Sequence, residues 1–498
     1  MRKAIISLVS GNLISKGLGL VREMIVAALF GTGYINGAYR VAQTGTLVPV
    51  NFLVSDSLTA FIPLYKIFFN ENREKAHLFF WSMQFLFLFF SSLLTLGAIL
   101  FVEPWLELIA PGLDPATRKL SRDMLIVMSF GIPLYLSSAL INYVEMAHDD
   151  FFPMSVRPSV QNVGMLIGAV ISYYLKNPIY LAWGFTASYI YFFLWVLIRG
   201  LKKNLLDFPK HIDRDILISV IRYFWKTLRP LILLPIMSQG NIAVERAVAT
   251  LVSITAISAL DYAKFITETL ILVVSTPVAL AGLATWGGMS ELEIKKRLIN
   301  GVNLLLIFAL PFSVFSYMHS ESIVSVLFER GKFDQSSIIA TSNILQGMSF
   351  GLWANVIGYV LIKALNAKLK NSAVMIIMAI SLAGNVCFNL IFHTYYSEAT
   401  LGYGYSIYGC LMFICSIYVL DIYRETSKTF IIVILGCVLY LFISDFSFFI
   451  FNNLVSLFLN GVIFLLFWSL YALLFPQLRG SLYPLIKRKA KHDQKIKV

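Results

Sequence analysis

Long apolar stretches separated by short polar segments occupy almost the whole chain. Most are close to the roughly 20 residues with which one helix crosses the hydrocarbon core of a bilayer. The second, eighth and tenth are interrupted by polar residues, which a helix tolerates where it faces protein or water rather than lipid. The pattern predicts an all-α integral membrane protein with fourteen transmembrane helices, over residues 5–30, 38–65, 77–102, 122–146, 153–175, 179–198, 227–252, 257–287, 299–318, 336–365, 372–393, 401–420, 429–447 and 453–476.

The composition agrees with this pattern and narrows the function. Of 498 residues, 58% are hydrophobic and 13% are charged, and the mean hydropathy is +0.76. A soluble domain has about 25% charged residues. A soluble enzyme is therefore excluded, and a transporter, a channel or a membrane-embedded enzyme remains.

The positive charges predict the orientation of the chain. If the N-terminus is cytoplasmic, most of the 40 Lys and Arg residues fall in segments on the cytoplasmic side, which is the bias found in inner-membrane proteins. Both termini are then cytoplasmic. The formal net charge of +13 follows from this bias and requires no nucleic-acid partner. The opposite side holds only Arg118, Lys119, Arg122, Lys176, Arg330 and Lys332.

Short motifs recur in the two halves of the chain. Met128-Ser129-Phe130-Gly131 recurs as Met348-Ser349-Phe350-Gly351, 220 residues later. Gln161-Asn162-Val163 matches Gly384-Asn385-Val386 at an offset of 223. Six predicted spans separate equivalent points. Because an even number of spans preserves orientation, the spacing predicts two six-helix lobes in parallel repeat, with a substrate cavity between them.

This repeat divides the chain into four predicted parts. Residues 1–198 form the N-lobe with spans 1–6, and 199–226 form a cytoplasmic connector. Residues 227–420 form the C-lobe with spans 7–12, and 421–498 hold spans 13 and 14 with a basic cytoplasmic tail.

Several ionisable residues fall inside predicted spans, where a charge is expensive unless it faces protein or water. Neutralising ion pairs between helices would explain them without any function. Alternatively, the cations line the cavity and favour an anionic substrate, since arginine suits the multidentate binding of phosphate. A cavity of this kind implies alternating access. The candidate substrate-binding residues are Lys16, Arg22, Glu23, Arg40, Asp261 and Lys264.

Motifs of enzyme chemistry are missing. The chain has no GxxxxGK[ST], HExxH or GxSxG motif, and its six histidines and four cysteines show no metal-ligand spacing. We expect neither a cofactor nor a metal, and no catalytic residue.

Three stretches carry a family resemblance: Ser15–Glu23 continuing to Phe30–Gly33, then Ala60–Pro63, and Leu327–Phe333. With the length and the predicted span count, they resemble the MurJ/MviN-like lipid-linked glycan flippases of the MOP superfamily. The resemblance implies that the chain moves an undecaprenyl-pyrophosphate-linked saccharide across the bacterial cytoplasmic membrane. The saccharide would be peptidoglycan lipid II or an exopolysaccharide or O-antigen repeat unit.

By the same resemblance, Arg22 matches a cavity arginine, Lys16 stands where another arginine is usual, and Glu23 replaces an aspartate. Lys264 lies one position from the family's arginine in the eighth span. The expected partners are the lipid-linked glycan and the bilayer, with a coupling ion and other proteins of cell-envelope biosynthesis as further candidates.

Other functions remain open at this stage. A MATE-like drug or cation exporter would need a carboxylate unopposed by cations in its cavity, whereas Arg22 and Lys16 accompany Glu23. A membrane enzyme of lipid-linked glycans usually carries a large external loop, and the external loops here are short. A scaffold without transport activity would tolerate neutral replacements of the cavity charges.

Overall fold

The computed structural model describes residues 2–54, 57–209, 214–229, 232–286, 291–368, 370–444 and 453–480. The ends of the predicted spans 257–287 and 429–447, four residues of the connector and the basic tail lie outside the described residues. The described chain is helical throughout and contains no β-strand. Its helices are α1 (Arg2–Phe30), α2 (Tyr34–Val54), α3 (Ser57–Glu71), α4 (Arg73–Leu100), α5 (Val102–Ile109), α6 (Pro115–Ser129), α7 (Ile132–Ala147), α8 (Phe152–Tyr174), α9 (Ile179–Lys202), α10 (Arg214–Leu228), α11 (Leu233–Val252), α12 (Ile254–Trp286), α13 (Glu291–Met318), α14 (Ser320–Phe328), α15 (Gln335–Ala367), α16 (Asn371–Tyr396), α17 (Ala399–Val419), α18 (Tyr423–Ser444) and α19 (Asn453–Leu474).

Many of these helices can cross a bilayer. Within the described ranges, nine helical segments are long and apolar enough, and a tenth arises if α6 and α7 form one span bent by 42°. The prediction of an all-α membrane protein is confirmed. The count of fourteen spans stays a prediction.

The described residues group into two compact units. The first comprises Met1–Ser258 with the short segment Arg330–Asp334, and the second comprises Ala259–Glu329 with Gln335–Val498. The four predicted parts of the chain stay predictions.

Helices of the first unit pack closely where small residues replace bulky ones. α1 lies along α8, and α8 lies along α9. Gly168 on α8 and Gly184 on α9 are so close that a Cβ atom on either would meet the backbone of the other. A separate core forms around the stacked rings of Phe61 and Phe79, whose centroids are 4.9 Å apart. Small residues at such crossings let apolar helices associate through van der Waals contact.

The second unit is built around α15, which packs on α13 and α17, while α16 packs on α17. Gly351 of α15 lies against Ser406 of α17. The ring of Trp353, two residues further on, contacts Phe413 edge-to-face at 5.0 Å. This unit therefore repeats the close helix pairing of the first.

Two hydrogen bonds occupy equivalent places in the two units. Thr186 Oγ1 on α9 donates to the carbonyl oxygen of Val127 on α6 at 2.9 Å. Ser406 Oγ on α17 donates to the carbonyl oxygen of Gly347 on α15 at 2.6 Å. Donor and acceptor are both displaced by 220 residues, the offset of the repeated Met-Ser-Phe-Gly motif.

The two copies of that motif differ in backbone path. α6 ends at Ser129 and α7 begins at Ile132, followed by Pro133, whereas α15 continues through the same motif without a break. Proline lacks a backbone N–H and its ring clashes with the preceding turn, so it interrupts a helix. Trp353 stands 220 residues after Pro133 and allows α15 to continue.

Candidate functional site

The centre of the charged site in the first unit is Glu23, a carboxylate on α1 that is only 2% exposed. Arg22 and Arg40 both form ion pairs with it, one on each carboxylate oxygen. Arg40 also donates from Nη1 to Oε1 of Glu23 at 3.2 Å. All three residues were predicted from the sequence as substrate-binding residues, and the structure brings them together.

The turn between α1 and α2 holds Arg40 in position. Arg40 Nε donates to Asn36 Oδ1 at 3.3 Å, and Asn36 Nδ2 donates to the carbonyl oxygen of Gly31 at 2.7 Å. Gly31 has φ +59°, a left-handed conformation that glycine adopts without steric penalty and that commonly ends a helix. The local Phe-Gly-Thr-Gly sequence therefore ends α1 and orients the first turns of α2 toward Glu23.

A further buried arginine lies close to this cluster on α11. Arg246 is 6% exposed and donates from Nε to Thr44 Oγ1 at 3.0 Å and from Nη1 to the carbonyl oxygen of Ile257 at 2.6 Å. Thr44 lies one turn beyond Arg40 on α2 and donates to the carbonyl oxygen of Arg40 at 3.0 Å. Arg246 is thus held by neutral oxygens from α2 and α12.

Helix α8 packs beside Arg22. Arg22 Nη1 lies 3.5 Å from the sulfur of Met165, and Gln43 Nε2 lies 3.3 Å from the same sulfur. Two turns earlier on α8, Arg157 is 6% exposed and its guanidinium carbon lies 3.9 Å from the centre of the Tyr135 ring. Arg157 was missed from the sequence because it lies near the start of the predicted span 153–175 and was counted among the cytoplasmic cations.

This part of the first unit carries an excess of positive charge. Arg22, Arg40, Arg157 and Arg246 are opposed by Glu23 and Glu245, and all but Arg22 are at most 6% exposed. A charge held away from water costs several kcal/mol unless it is paired, whereas a cation–π contact returns about 2 kcal/mol. The arrangement of these described residues therefore suits the binding of an anion.

The remaining predicted site residues lie elsewhere. Lys16 is half-buried on α1, six residues before Arg22. Asp261 and Lys264 are half-buried on α12 in the second unit, three residues apart and therefore on one helix face. A role for these three in substrate binding stays a prediction.

A second charged cluster joins the ends of α7 and α9. Arg199 Nε donates to Glu145 Oε1 at 3.0 Å, and Arg199 Nη2 donates to Asp150 Oδ2 at 2.5 Å. Lys203 forms a further ion pair with Asp150. Burial raises the pKa of Asp150, but the hydrogen bonds from Lys203 and Arg199 outweigh it and hold the pKa below the usual value. The cluster fixes the loop that leads into α8.

The described residues contain no group of three or more His, Cys, Asp or Glu side chains that could hold a metal ion. The chemistry available at the site is therefore that of arginines, one shared carboxylate and neutral hydrogen-bonding groups. Such groups bind and release an anion.

The family model and the curated relatives that match this chain carry the same family name. The family model described as "Lipid II flippase MurJ" matches residues 26–472. A "Probable lipid II flippase MurJ" of Buchnera aphidicola subsp. Schizaphis graminum is 26% identical over 375 residues, which cover 73% of this chain and 72% of the relative. One of Synechocystis sp. is 24% identical over 372 residues, covering 69% of this chain and 67% of the relative.

Solved structures show the same fold. The structure described as "Lipid II flippase MurJ, inward closed conformation" superimposes with a TM-score of 0.81 at 21% identity, covering 94% of this chain and 98% of that one. An inward-facing multidrug resistance MATE family transporter of the MOP superfamily gives a TM-score of 0.69 at 13% identity, covering 85% and 99%. At these identities the likeness concerns the fold alone.

Proposed function

Because the chain belongs to the MurJ family of lipid II flippases, we propose that its buried cluster of Arg22, Glu23 and Arg40 binds the pyrophosphate of the lipid-linked glycan during translocation. The chain is a membrane transporter and not an enzyme. The observation that carries the proposal is one carboxylate shared by two arginines, deep in an apolar helical protein.

The shared carboxylate explains how the site can be empty and still stable. Without substrate, Glu23 pairs with both arginines. A pyrophosphate offers more oxygen acceptors and more negative charge than a carboxylate, so it takes over the guanidinium groups by charge-assisted hydrogen bonds. When the substrate leaves, Glu23 pairs with the arginines again. Binding and release then exchange one set of ion pairs for another.

Lys16, Asp261 and Lys264 are part of the proposal as further substrate-binding residues. Lys16 contributes a cation on α1, and Asp261 and Lys264 contribute one anion and one cation on α12. Their half-buried positions support this assignment because each combines a charge with access to solvent or ligand.

The proposal includes alternating access by two lobes of six spans each. Two further spans follow the second lobe, and both termini are cytoplasmic. The matched hydrogen bonds of Thr186 and Ser406 support duplicated lobes, since donor and acceptor recur at one offset. The excess of Lys and Arg on one predicted side supports the orientation. The membrane potential supplies roughly 2.3 kcal/mol per charge per 100 mV, enough to bias a cycle that moves net charge.

Transport of lipid II by the reconstituted protein tests the proposal. Vesicles that contain the protein and fluorescent lipid II are measured for loss of inner-leaflet signal, with Arg22→Ala compared with wild type. We expect transport to collapse while the variant still inserts and elutes as a folded species. The matched control is Arg122→Ala, which removes an arginine that is half-exposed and paired with Glu103. Wild-type transport by Arg22→Ala would contradict the proposed role of this cluster.

A further inference from the structure

Arg157 is a buried cation that the proposed site leaves without an anion. It is 94% buried in α8. It forms no ion pair or hydrogen bond with any residue that the structure describes, and its recorded partner is the face of the Tyr135 ring. A cation–π contact is weaker than the penalty of holding a guanidinium away from water. The side chain is therefore available to bind an anion.

The surroundings keep this guanidinium in place. Tyr135 Oη donates to Asn51 Oδ1 at 3.3 Å, and the Tyr135 ring meets the Tyr189 ring edge-to-face at 5.1 Å. One turn after Arg157, the Nε2 atom of Gln161 is buried and has no hydrogen-bond partner. Residues four apart share a helix face, so two donors without an acceptor lie next to each other on α8.

Arg157 lies on α8, the helix that borders the proposed pyrophosphate site. α1 and α8 run side by side in the same direction, since Asn162 Nδ2 donates to the carbonyl oxygen of Ser15 at 3.0 Å and Arg22 contacts Met165. Arg157 precedes Met165 by eight residues, or about 12 Å along the helix. It therefore lies on the side of Arg22 where both helices begin, which is the predicted cytoplasmic side.

The internal repeat argues against a purely structural role. The hydrogen bonds that join the paired helices are kept in both units, at Thr186 and Ser406. The positions that correspond to Arg157 at offsets of 220 and 223 are Ile377 and Ile380. The repeated scaffold is thus built without a cation at this place.

We propose that Arg157 and Gln161 form a second anion site, at which the diphosphate of a polyprenyl-linked substrate is bound before it reaches Arg22, Glu23 and Arg40. The inference rests on the proposed function and adds an initial binding site on the cytoplasmic side. Arg157 supplies the charge and the Gln161 amide supplies a further donor, while the Tyr135 ring prevents the guanidinium from turning away.

Calorimetric titration of the full chain in detergent with farnesyl diphosphate tests this site. We expect Arg157→Met to weaken binding about tenfold, as for loss of a charged hydrogen-bond partner. Arg157→Lys keeps the charge without the planar fork and should lose about threefold. Arg122→Met is the control and should bind as wild type, because its arginine is half-exposed and paired with Glu103. Arg157→Met with wild-type affinity would overturn the proposal.

Two further arms separate the possible explanations. Phosphatidylglycerol also carries a lipid phosphate, and competition by it as strong as that of farnesyl diphosphate would mean that the site binds membrane headgroups, which overturns the proposal. If Arg157→Met is unfolded, Arg157→Lys decides, since unchanged affinity in that variant together with unchanged salt dependence also overturns it. Arg22→Met distinguishes the two sites: binding that is weakened in the Arg157 variants but not in Arg22→Met would refute the proposed function and leave only an anion site at Arg157.

Discussion

The backbone N–H of Lys332 donates a hydrogen bond of 2.8 Å to the carbonyl oxygen of Ala28, in the last turn of α1. The contact joins two motifs that lie about 300 residues apart in the sequence. Gly31 and Gly331 flank it with φ +59° and φ +58°, and a Cβ atom on either would strike the backbone of the opposite segment. The end of the helix that carries Arg22 and Glu23 is therefore fixed by a distant loop.

Gly331→Ala should destabilise the protein. The left-handed conformation costs a non-glycine residue about 1–2 kcal/mol, and the new methyl group would meet the carbonyl oxygen of Ala28. Thermal unfolding of the purified protein in detergent measures the loss. Gly301→Ala serves as the control, because Gly301 is helical and has no atom within 4 Å of the added position. Equal melting temperatures for the two variants would show that the contact contributes nothing.

Glu23→Gln should destabilise the empty protein and make it sensitive to added anions. The change leaves Arg22 and Arg40 near each other without their carboxylate, and breaking a buried ion pair costs about 3–5 kcal/mol. Pyrophosphate should restore more stability to this variant than to wild type, since it replaces the lost charge. Unfolding with and without pyrophosphate measures the difference. Identical responses of variant and wild type would argue against anion binding at this cluster.

Thr186→Val and Ser406→Ala should each destabilise the protein, because each removes a buried hydrogen bond to a helix carbonyl, worth about 1 kcal/mol. Ser406→Ala should cost more, because Ser406 Oγ also accepts from the backbone N–H of Gly351 at 2.7 Å. The two pairs share no residue, so the double variant should show the sum of the single effects. Ser427→Ala removes an exposed hydroxyl and is the control. A large effect of one variant and none of the other would contradict structural equivalence of the two hydrogen bonds.

Stability should depend on the ionisation of Asp150. Its pKa is held below 3.8 in the folded protein by Lys203 and Arg199, against the effect of burial. The ion pairs therefore stabilise the fold fully above pH 3.8, and this contribution is lost as the pH falls from 3.8 through the folded pKa. Asp150→Asn should melt below wild type at pH 7, and the gap should close in acid. Parallel melting curves across this range would exclude the linkage.

The sequence predicted those features that depend on local pattern. Apolar stretches identified the membrane helices, and the rarity of charge within them singled out Arg22, Glu23 and Arg40 before their contacts were known. The fixed spacing of Arg22 and Glu23 already places the two side chains on neighbouring parts of one helix.

Features that depend on distant contacts were not predicted. Arg157 lies near the start of the predicted span 153–175 and was counted among the cytoplasmic cations, and only the structure shows that it is buried against the Tyr135 ring of another helix. Arg246 was not among the predicted site residues, yet it is buried and donates to oxygens of Thr44 and Ile257. Docking of Gly331 on α1 has no local signature, because each glycine alone indicates only a turn.

The break between α6 and α7 has a mechanical consequence. The first copy of the motif is broken at Phe130-Gly131, where Pro133 leaves the backbone without a hydrogen bond, whereas α15 runs through the second copy and Trp353 without a break. If these helices bend, the bending will concentrate at the break between α6 and α7. The two matched elements therefore differ in stiffness, and replacing the proline would make α6 and α7 resemble α15.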